Sequence, residues 1–544
     1  MSIIFQRPVH RLKQIFGIFQ HHKSSSAMRN LLANMYCSSS GTSMLQLSFA
    51  DIEANNLTSE EKCNSFIEYY KKLPSEQRGV FLCELAKSYG IDKNSVVSVA
   101  NSVLSVKDKD NASFLLLSER MRSALRPKYK TFFSHMGRVK GGVKFLVDMR
   151  ADVLNFKQST HSELNGALYQ ELNNALKELL MLWFTVGFLN LERITWNSPC
   201  DLVQKVSNYE AVHRIRTWED IKRRVGPYRR CYIFTHNSMP REPVVVLHTA
   251  LTSEISSSIH SIIMNARFRP SQATEAADNS VELFSGNFLS PRSTTPATPT
   301  SPTVSSILTQ TKPFIEDEKE DLSQIKCAVF YSITSTQKGL QGVEMGNYLI
   351  KSVVRKLQEE FPHLQQFSSL SPIPGFRDWL VSYINHSINM RNAGEGAGGI
   401  PVLFQDESEA LVPYQKAGQH SALDTFKDLI LSHEWYLNEG LTQAMKSPLM
   451  RLCADYLYVQ KRRNYALNPV ANFHLSNGAV LWRINYLADT SQRGLNQSCG
   501  LMVNYRYFLE STETNSRNYL DCQIIKASPG VIDLLRGTQY TAKM

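Results

Sequence analysis

The 544-residue chain carries 60 Lys+Arg against 49 Asp+Glu, a formal charge of +11, with 42% hydrophobic and 10% aromatic residues. That composition excludes a disordered chain, and the length calls for two to four domains at roughly 100–200 residues each. The longest apolar run, Leu179 to Leu189 with one Thr and one Gly inside, falls short of the roughly 18 residues that a spanning helix needs and reads as a buried helix, so no membrane role is expected.

The charge is unevenly spread. Residues 1–50 hold five basic residues (Arg7, Arg11, Lys13, Lys23 and Arg29) and no acidic one. Read as a helix, the segment puts Phe5, Leu12, Ile15, Phe16 and Phe19 near one face, and a Ser-rich stretch follows. An amphipathic, basic, acid-free leader matches a mitochondrial transit peptide, which places the protein in the matrix; a disordered or membrane-surface tail is the alternative. The chain closes on Ala542-Lys543-Met544, chemically close to a peroxisomal Ser-Lys-Leu address, so peroxisome and cytoplasm join the matrix as expected compartments. Nine cysteines are scattered with no CxxC pair, which argues against a zinc ribbon or a disulfide framework. Cys200, beside Pro199, could bridge subunits in an oxidising setting, although a free thiol is the default.

Residues 57–190 read as helical. Thr58 with Glu61 forms a capping-box pattern, and Leu164, Leu168, Leu172, Ala175, Leu176 and Leu179 recur at steps of three and four. Beyond Trp196 the pattern changes: Cys231–Thr235 and Pro243–Leu251 are strand-like runs joined by a turn, and helices then alternate with short strands, giving an α/β or α+β second part. Residues 267–325, rich in Ser, Thr and Pro, and the Gly-rich stretch at 391–420 read as flexible insertions.

The second insertion places Gly394, Gly396 and Gly399 at GxGxxG spacing, but it follows a helical run, whereas a dinucleotide fingerprint must follow a strand. That context exists elsewhere. Cys327–Tyr331 is a buried-strand signal, the loop Gln337–Gly346 is rich in glycine, and a helix follows with Leu349, Ile350, Val353, Val354, Leu357 and Phe361 on one face. Strand, glycine loop and helix N-terminus form a recipe for anion binding, since free N–H groups and the positive dipole end face the anion; an ordinary tight connection is the alternative. Basic residues cluster at Arg214, Arg216, Lys222, Arg223, Arg224, Arg229 and Arg230 among Trp218, Tyr228 and Tyr232. A solvated helix face accounts for them best, then contact with an anion or CoA phosphate, and last nucleic acid. No GxxxxGK[ST], HExxH or GxSxG motif supports an ATPase, zincin or classical hydrolase. Ser371 stands at a strand end before Pro372 and Pro374, and His474 follows a Pro-defined start at Asn468-Pro469. Taken singly, such a serine is usually a cap and such a histidine a core residue, and spacing does not show that they meet.

At these residues the sequence resembles the malonyl-CoA decarboxylase family: GPYRRCY at 226–232, KGLQGVEMG at 338–346, FPHLQQFSSLSPIPGF at 361–376, PLMRLCADYLY at 448–458, YALNPVANFHLSNGAVLWRINY at 465–486 and SCGLMVNYRYFLE at 498–510. The likeness runs from about residue 57 to the C-terminus outside the insertions. It implies an α+β protein, with an N-terminal helical bundle at 57–190 that serves oligomerisation and a GNAT-type acetyltransferase-like α/β domain at 191–544. It also implies conversion of malonyl-CoA to acetyl-CoA and CO2 in fatty-acid metabolism, without metal, biotin or nucleotide cofactor, in a homotetramer with no nucleic-acid partner. By analogy Ser371, His474, Glu344 and Tyr507 are catalytic. The same analogy makes Ser332, Gln341, Gly342, Val343, Glu344, Met345, Gly346, Asn347, Ser371, His474 and Asn504 substrate-binding. The reaction needs donors for an enolate oxygen and an acid for the α-carbon, so a histidine titrating near neutral pH is expected at position 474, with Ser371 as acceptor or relay and the two roles exchangeable. An acyl-CoA-dependent N-acyltransferase and a nucleic-acid-binding module are the competing readings.

Overall fold

The computed structural model describes residues 60–105, 111–263, 320–343, 346–393, 401–416 and 421–535, with the backbone alone at 186, 346–348 and 392. The leader, Thr58, residues 267–319, Gly394 to Gly399, Glu344, Met345 and the final tripeptide lie outside them. The chain divides into two compact units that do not follow sequence order. The first holds residues up to Glu192 together with Ile233–Val246 and Ser335–Tyr348, and the second holds the rest.

The first unit is built from α1 (Glu60–Lys72), α2 (Ser75–Ser88), α3 (Lys93–Ser105), α4 (Asn111–Ala124), α5 (Lys128–Met136), α6 (Gly142–Ser159) and α7 (Glu163–Trp183). Its core is aromatic: Phe66 meets Phe132 edge-on at 4.9 Å, and Phe81, Phe133 and Phe145 are buried around them. Ser162 caps α7 by accepting from the Asn165 N–H, and Leu172, Ala175, Leu176 and Leu179 are buried as the periodicity predicts, whereas Leu164 is exposed. The apolar run from Leu179 is not one buried helix. The helix stops at Trp183, a single 3₁₀ turn spans Val186–Phe188, and β1 (Leu189–Ile194) begins. Met181, Leu182 and Phe188 are exposed. The reason is local: β-branched Thr185 and Val186 and then Gly187 are poor helix formers, and Thr185 Oγ1 donates to the Leu182 carbonyl.

The second part continues with α8 (Cys200–Tyr209), α9 (Trp218–Val225), β2 (Arg229–His236), β3 (Val245–Thr252), α10 (Ile259–Ile263), β4 (Cys327–Ser335) and α11 (Gly346–Glu360). Then come β5 (Gln366–Ser369), β6 (Ser371–Pro372), α12 (Phe376–Asn392), α13 (Gln405–Leu411), α14 (Ala422–Leu431), α15 (Glu439–Ala454), the β7 (Lys461–Arg462) and β8 (Tyr465–Ala466) hairpin, and α16 (Pro469–Ser476). The chain ends with β9 (Val480–Asn485), α17 (Gln492–Ser498), β10 (Met502–Tyr507), α18 (Thr512–Cys522) and α19 (Pro529–Asp533). This is the expected helical region followed by a mixed α/β domain. An eight-stranded sheet runs β1-β2-β3-β4-β5-β10-β6, with β9 also on β10.

Strands β4 and β5 are parallel, Cys327 opposite Gln366 and Phe330 opposite Ser369, and parallel neighbours need a crossover, which α11 supplies. Leu349, Ile350, Val353, Val354 and Leu357 of that helix are buried, as the spacing predicts. Within 391–420, expected as a flexible insertion, residues 405–411 form α13. Glu407 there meets Arg451 of α15 at 2.5 Å with both side chains buried, and Arg451 also donates to the Pro401 and Val402 carbonyls.

Candidate active site

Ser371 opens β6, which is short because Pro372 and Pro374 cannot donate to a ladder. His474 lies on α16, whose start is fixed by Asn468: its Oδ1 accepts from the Val470 and Ala471 N–H groups, with Pro469 in the first turn. The same Asn468 donates through Nδ2 to the Pro374 carbonyl at 2.9 Å, which ties the two conspicuous sequence blocks to each other. The result is a contact of 2.9 Å between Ser371 Oγ and His474 Nε2, across 103 residues of chain.

The chain of hydrogen bonds extends in both directions. Ser371 Oγ lies 2.8 Å from Ser369 Oγ, and His474 Nδ1 lies 2.7 Å from Tyr507 Oη. The ring of Tyr505 stacks on the imidazole at 4.5 Å, and Phe330 packs edge-on against Tyr507. Period two along β10 puts Tyr505 and Tyr507 on one face, and a bulge between Asn504 and Tyr505 sets the angle at which they leave the strand. All four members of the relay are buried.

Burial holds the His474 pKa down at about 3, because desolvation disfavours the imidazolium, and it pushes the phenols of Tyr505 and Tyr507 up. The expectation of a histidine titrating near neutral pH is therefore corrected: the ring is neutral in the ligand-free protein, with one N–H and one lone pair. The Ser371 hydroxyl donates to Ser369 Oγ, so Ser371 accepts from Nε2–H and Nδ1 accepts from the Tyr507 hydroxyl. That order leaves the Ser369 hydroxyl proton without an acceptor among the described residues.

Asn504, expected to bind substrate, has both ends of its amide engaged within the chain. Its Nδ2 donates to the Ser369 and Ser256 carbonyls, and its Oδ1 accepts from Arg483 and Asn485. Ser332 lies two residues beyond Phe330, as Ser371 lies two beyond Phe330's partner Ser369, but its hydroxyl is committed to the buried carboxylate of Glu210 at 2.8 and 3.0 Å. Ser332 can therefore only accept from a further group. Glu210 also takes the Val212 and His213 N–H groups, and His248 Nε2 stands 3.3 Å away, itself held neutral at about pKa 4 by burial. Those donors, with the His248 ring beside it, keep the Glu210 carboxyl ionised below its ordinary pKa although burial works against them.

Glu210, Ser369 and Tyr505 were missed at the level of sequence. Ser369 was within reach, since period two places it on the Ser371 face; Glu210 carries no motif signal. The loop residues Gln341, Gly342 and Val343 belong to the first unit, where Gly342 adopts φ +74. Gly346 and Asn347 open α11. The basic cluster is not one solvated face: Arg224 and Arg230 are buried, and Arg230 is clasped by Glu320 and Glu360 at 2.7 Å each.

A helical region followed by a mixed sheet domain, with a buried Ser-His-Tyr relay, defines an enzyme rather than a passive scaffold. The fold matches crystal structures of malonyl-CoA decarboxylase from Rhodopseudomonas palustris and from Agrobacterium vitis, each with TM-score 0.68 and 26% identity, covering 91% of this chain and 99% of theirs. The mitochondrial malonyl-CoA decarboxylase of Rattus norvegicus is 43% identical over 488 residues, 89% of this chain and 87% of that one. The malonyl-CoA decarboxylase N-terminal domain description matches residues 89–184, and the C-terminal domain description matches 187–285 and 299–544. The chain belongs to the malonyl-CoA decarboxylase family, whose members are carboxy-lyases.

Proposed function

We propose that the protein converts malonyl-CoA to acetyl-CoA and CO2 on the Ser371–His474–Tyr507 relay. The contact that carries this reading is Ser371 Oγ to His474 Nε2 at 2.9 Å in a buried site. Departure of CO2 leaves an enolate on the thioester, which needs hydrogen-bond donors at oxygen and a proton at carbon. The reaction consumes one proton. A neutral His474 cannot supply it without becoming an imidazolate, so the proton arrives with the substrate: the malonyl carboxylate brings a negative charge into a buried site and raises the His474 pKa, and the ring takes up a proton on binding. His474 then passes that proton through Ser371 to the α-carbon and returns to neutrality, while Tyr507 fixes the ring. By family analogy Glu344 is catalytic too.

The glycine loop from Gln341 to Asn347, between β4 and α11, holds the phosphates of CoA. The parallel β4 and β5 strands flanking that crossover support the acetyltransferase-like description. The acid-free leader and the mitochondrial relatives support a matrix location, with peroxisomal placement resting on the C-terminal tripeptide and homotetramer formation on family resemblance. The test is release of labelled CO2 from malonyl-CoA by the full chain. Ser371→Ala and His474→Ala should each lower kcat by about 10²-fold or more, in the range of general acid–base contributions. Near-full turnover by either folded variant would overturn the assignment.

A further inference from the structure

Arg150 of α6 is 2% exposed, yet all its partners among the described residues are neutral. Its Nε donates to Asn173 Oδ1 at 3.1 Å, Nη1 to the Gly339 carbonyl at 2.6 Å and Nη2 to the Gln341 carbonyl at 2.9 Å. A buried guanidinium without a carboxylate is costly, and burial lowers its pKa with nothing opposing. It therefore sits beneath the glycine loop as an uncompensated positive charge. The approach is as close as chemistry allows, since a Cβ on Gly339 would fall 1.8 Å from the Val147 carbonyl oxygen of the same helix.

The two carbonyls that Arg150 holds define the opposite side of the loop. In a trans peptide C=O and N–H point in opposite directions, so turning the Gln341 carbonyl toward Arg150 turns the Gly342 N–H away from it. Among the described residues that N–H has no partner, and Gln341 and Gly342 are exposed. Lys177 of α7 reaches the same point: a Cβ on Gly342 would lie 3.7 Å from its Nζ. Lys177 is half-buried and makes no hydrogen bond or ion pair among the described residues.

We propose that the helical unit completes the phosphate site of the substrate, with Arg150 as a positioning residue that turns the loop carbonyls inward and Lys177 as a direct contact to a phosphate oxygen. This rests on the reading of the loop as the CoA phosphate site. It gives α6 and α7 a part in substrate recognition.

The test compares malonyl-CoA with malonyl-N-acetylcysteamine, which has the same thioester and no phosphate, on the full chain. Lys177→Met should raise KM for malonyl-CoA about tenfold, as expected for one charge-assisted hydrogen bond, with kcat changed less than twofold. The preference for malonyl-CoA over the short thioester, as a ratio of kcat/KM values, should fall by the same factor, and Lys177→Arg should restore most of it. Arg150→Lys, which keeps the charge and loses the fork, should lower that ratio too while the circular dichroism and thermal transition stay those of a folded protein. Equal losses on both substrates in either variant would show a merely structural role and overturn the inference. A wild-type protein with no preference for malonyl-CoA would instead overturn the reading of the loop itself.

Discussion

Tyr507 is the residue whose removal separates the relay from its scaffolding. Its hydroxyl is the partner of His474 Nδ1, while its ring packs against Phe330. Tyr507→Phe keeps the packing and leaves a buried imidazole nitrogen unpaired, at a cost of about 1–3 kcal/mol in stability. Because the ring is then free to adopt the wrong tautomer, kcat should fall by about 10–100-fold while KM moves little, a magnitude at the low end for general acid–base groups. Rapid mixing of the wild type with malonyl-CoA in weak buffer containing an indicator dye should show a burst of about one proton per site as substrate binds, ahead of the steady uptake that turnover causes. A Tyr507→Phe variant with unchanged kcat, or binding without proton uptake, would sink the relay as described. Ser371 and His474 were legible because prolines and the Asn468-Pro469 cap mark where their segments stop and start. The protonation state was not legible, because the pKa depends on how completely β10 and α16 exclude water, and no local spacing records that.

Elements hold these groups in place through a few close backbone approaches. Gly478, just beyond α16, has φ +79, and a Cβ there would fall 1.8 Å from the Thr512 carbonyl oxygen. Gly478→Ala should therefore destabilise by about 2–4 kcal/mol, combining left-handed strain with overpacking. Gly166 inside α7 is the control: a Cβ would meet only Thr160 Cγ2 at 3.8 Å, and Gly166→Ala should stabilise by up to about 1 kcal/mol through helix propensity. Urea unfolding of both variants checks the pair, and a neutral Gly478→Ala would contradict the close approach. At this scale periodicity worked where one face is buried, as on α11. It failed at Leu179–Leu189, where an apolar run ends a helix and is partly exposed. Composition likewise marked 391–420 as loose, but whether such a stretch is held depends on a distant partner, here Arg451 for Glu407.

At the scale of the molecule, the chain returns twice to its first unit, at 233–246 and 335–348, an interleaving that sequence order conceals. The second unit also carries an acid liability. Burial holds His213 and His248 neutral at about pKa 4 and His474 at about 3, against 6.5 for a free histidine. The unfolded chain binds these three protons below pH 6.5 and the folded one only near pH 4 and 3. Stability is thus complete above pH 6.5 and is lost as pH falls toward the folded values. Between pH 7 and pH 5 each histidine should cost about 2 kcal/mol, or about 6 kcal/mol together, a large part of a typical 5–15 kcal/mol. Urea titrations at the two pH values measure the difference directly. In His474→Gln, which cannot titrate, the loss between pH 7 and pH 5 should be about 2 kcal/mol smaller than in wild type. Because the comparison is made within each protein, any change in stability that the substitution causes at pH 7 cancels. A His474→Gln protein that lost as much as wild type over that interval would mean that burial does not depress the His474 pKa in the folded state, and the account of the ring as held neutral by burial would fail.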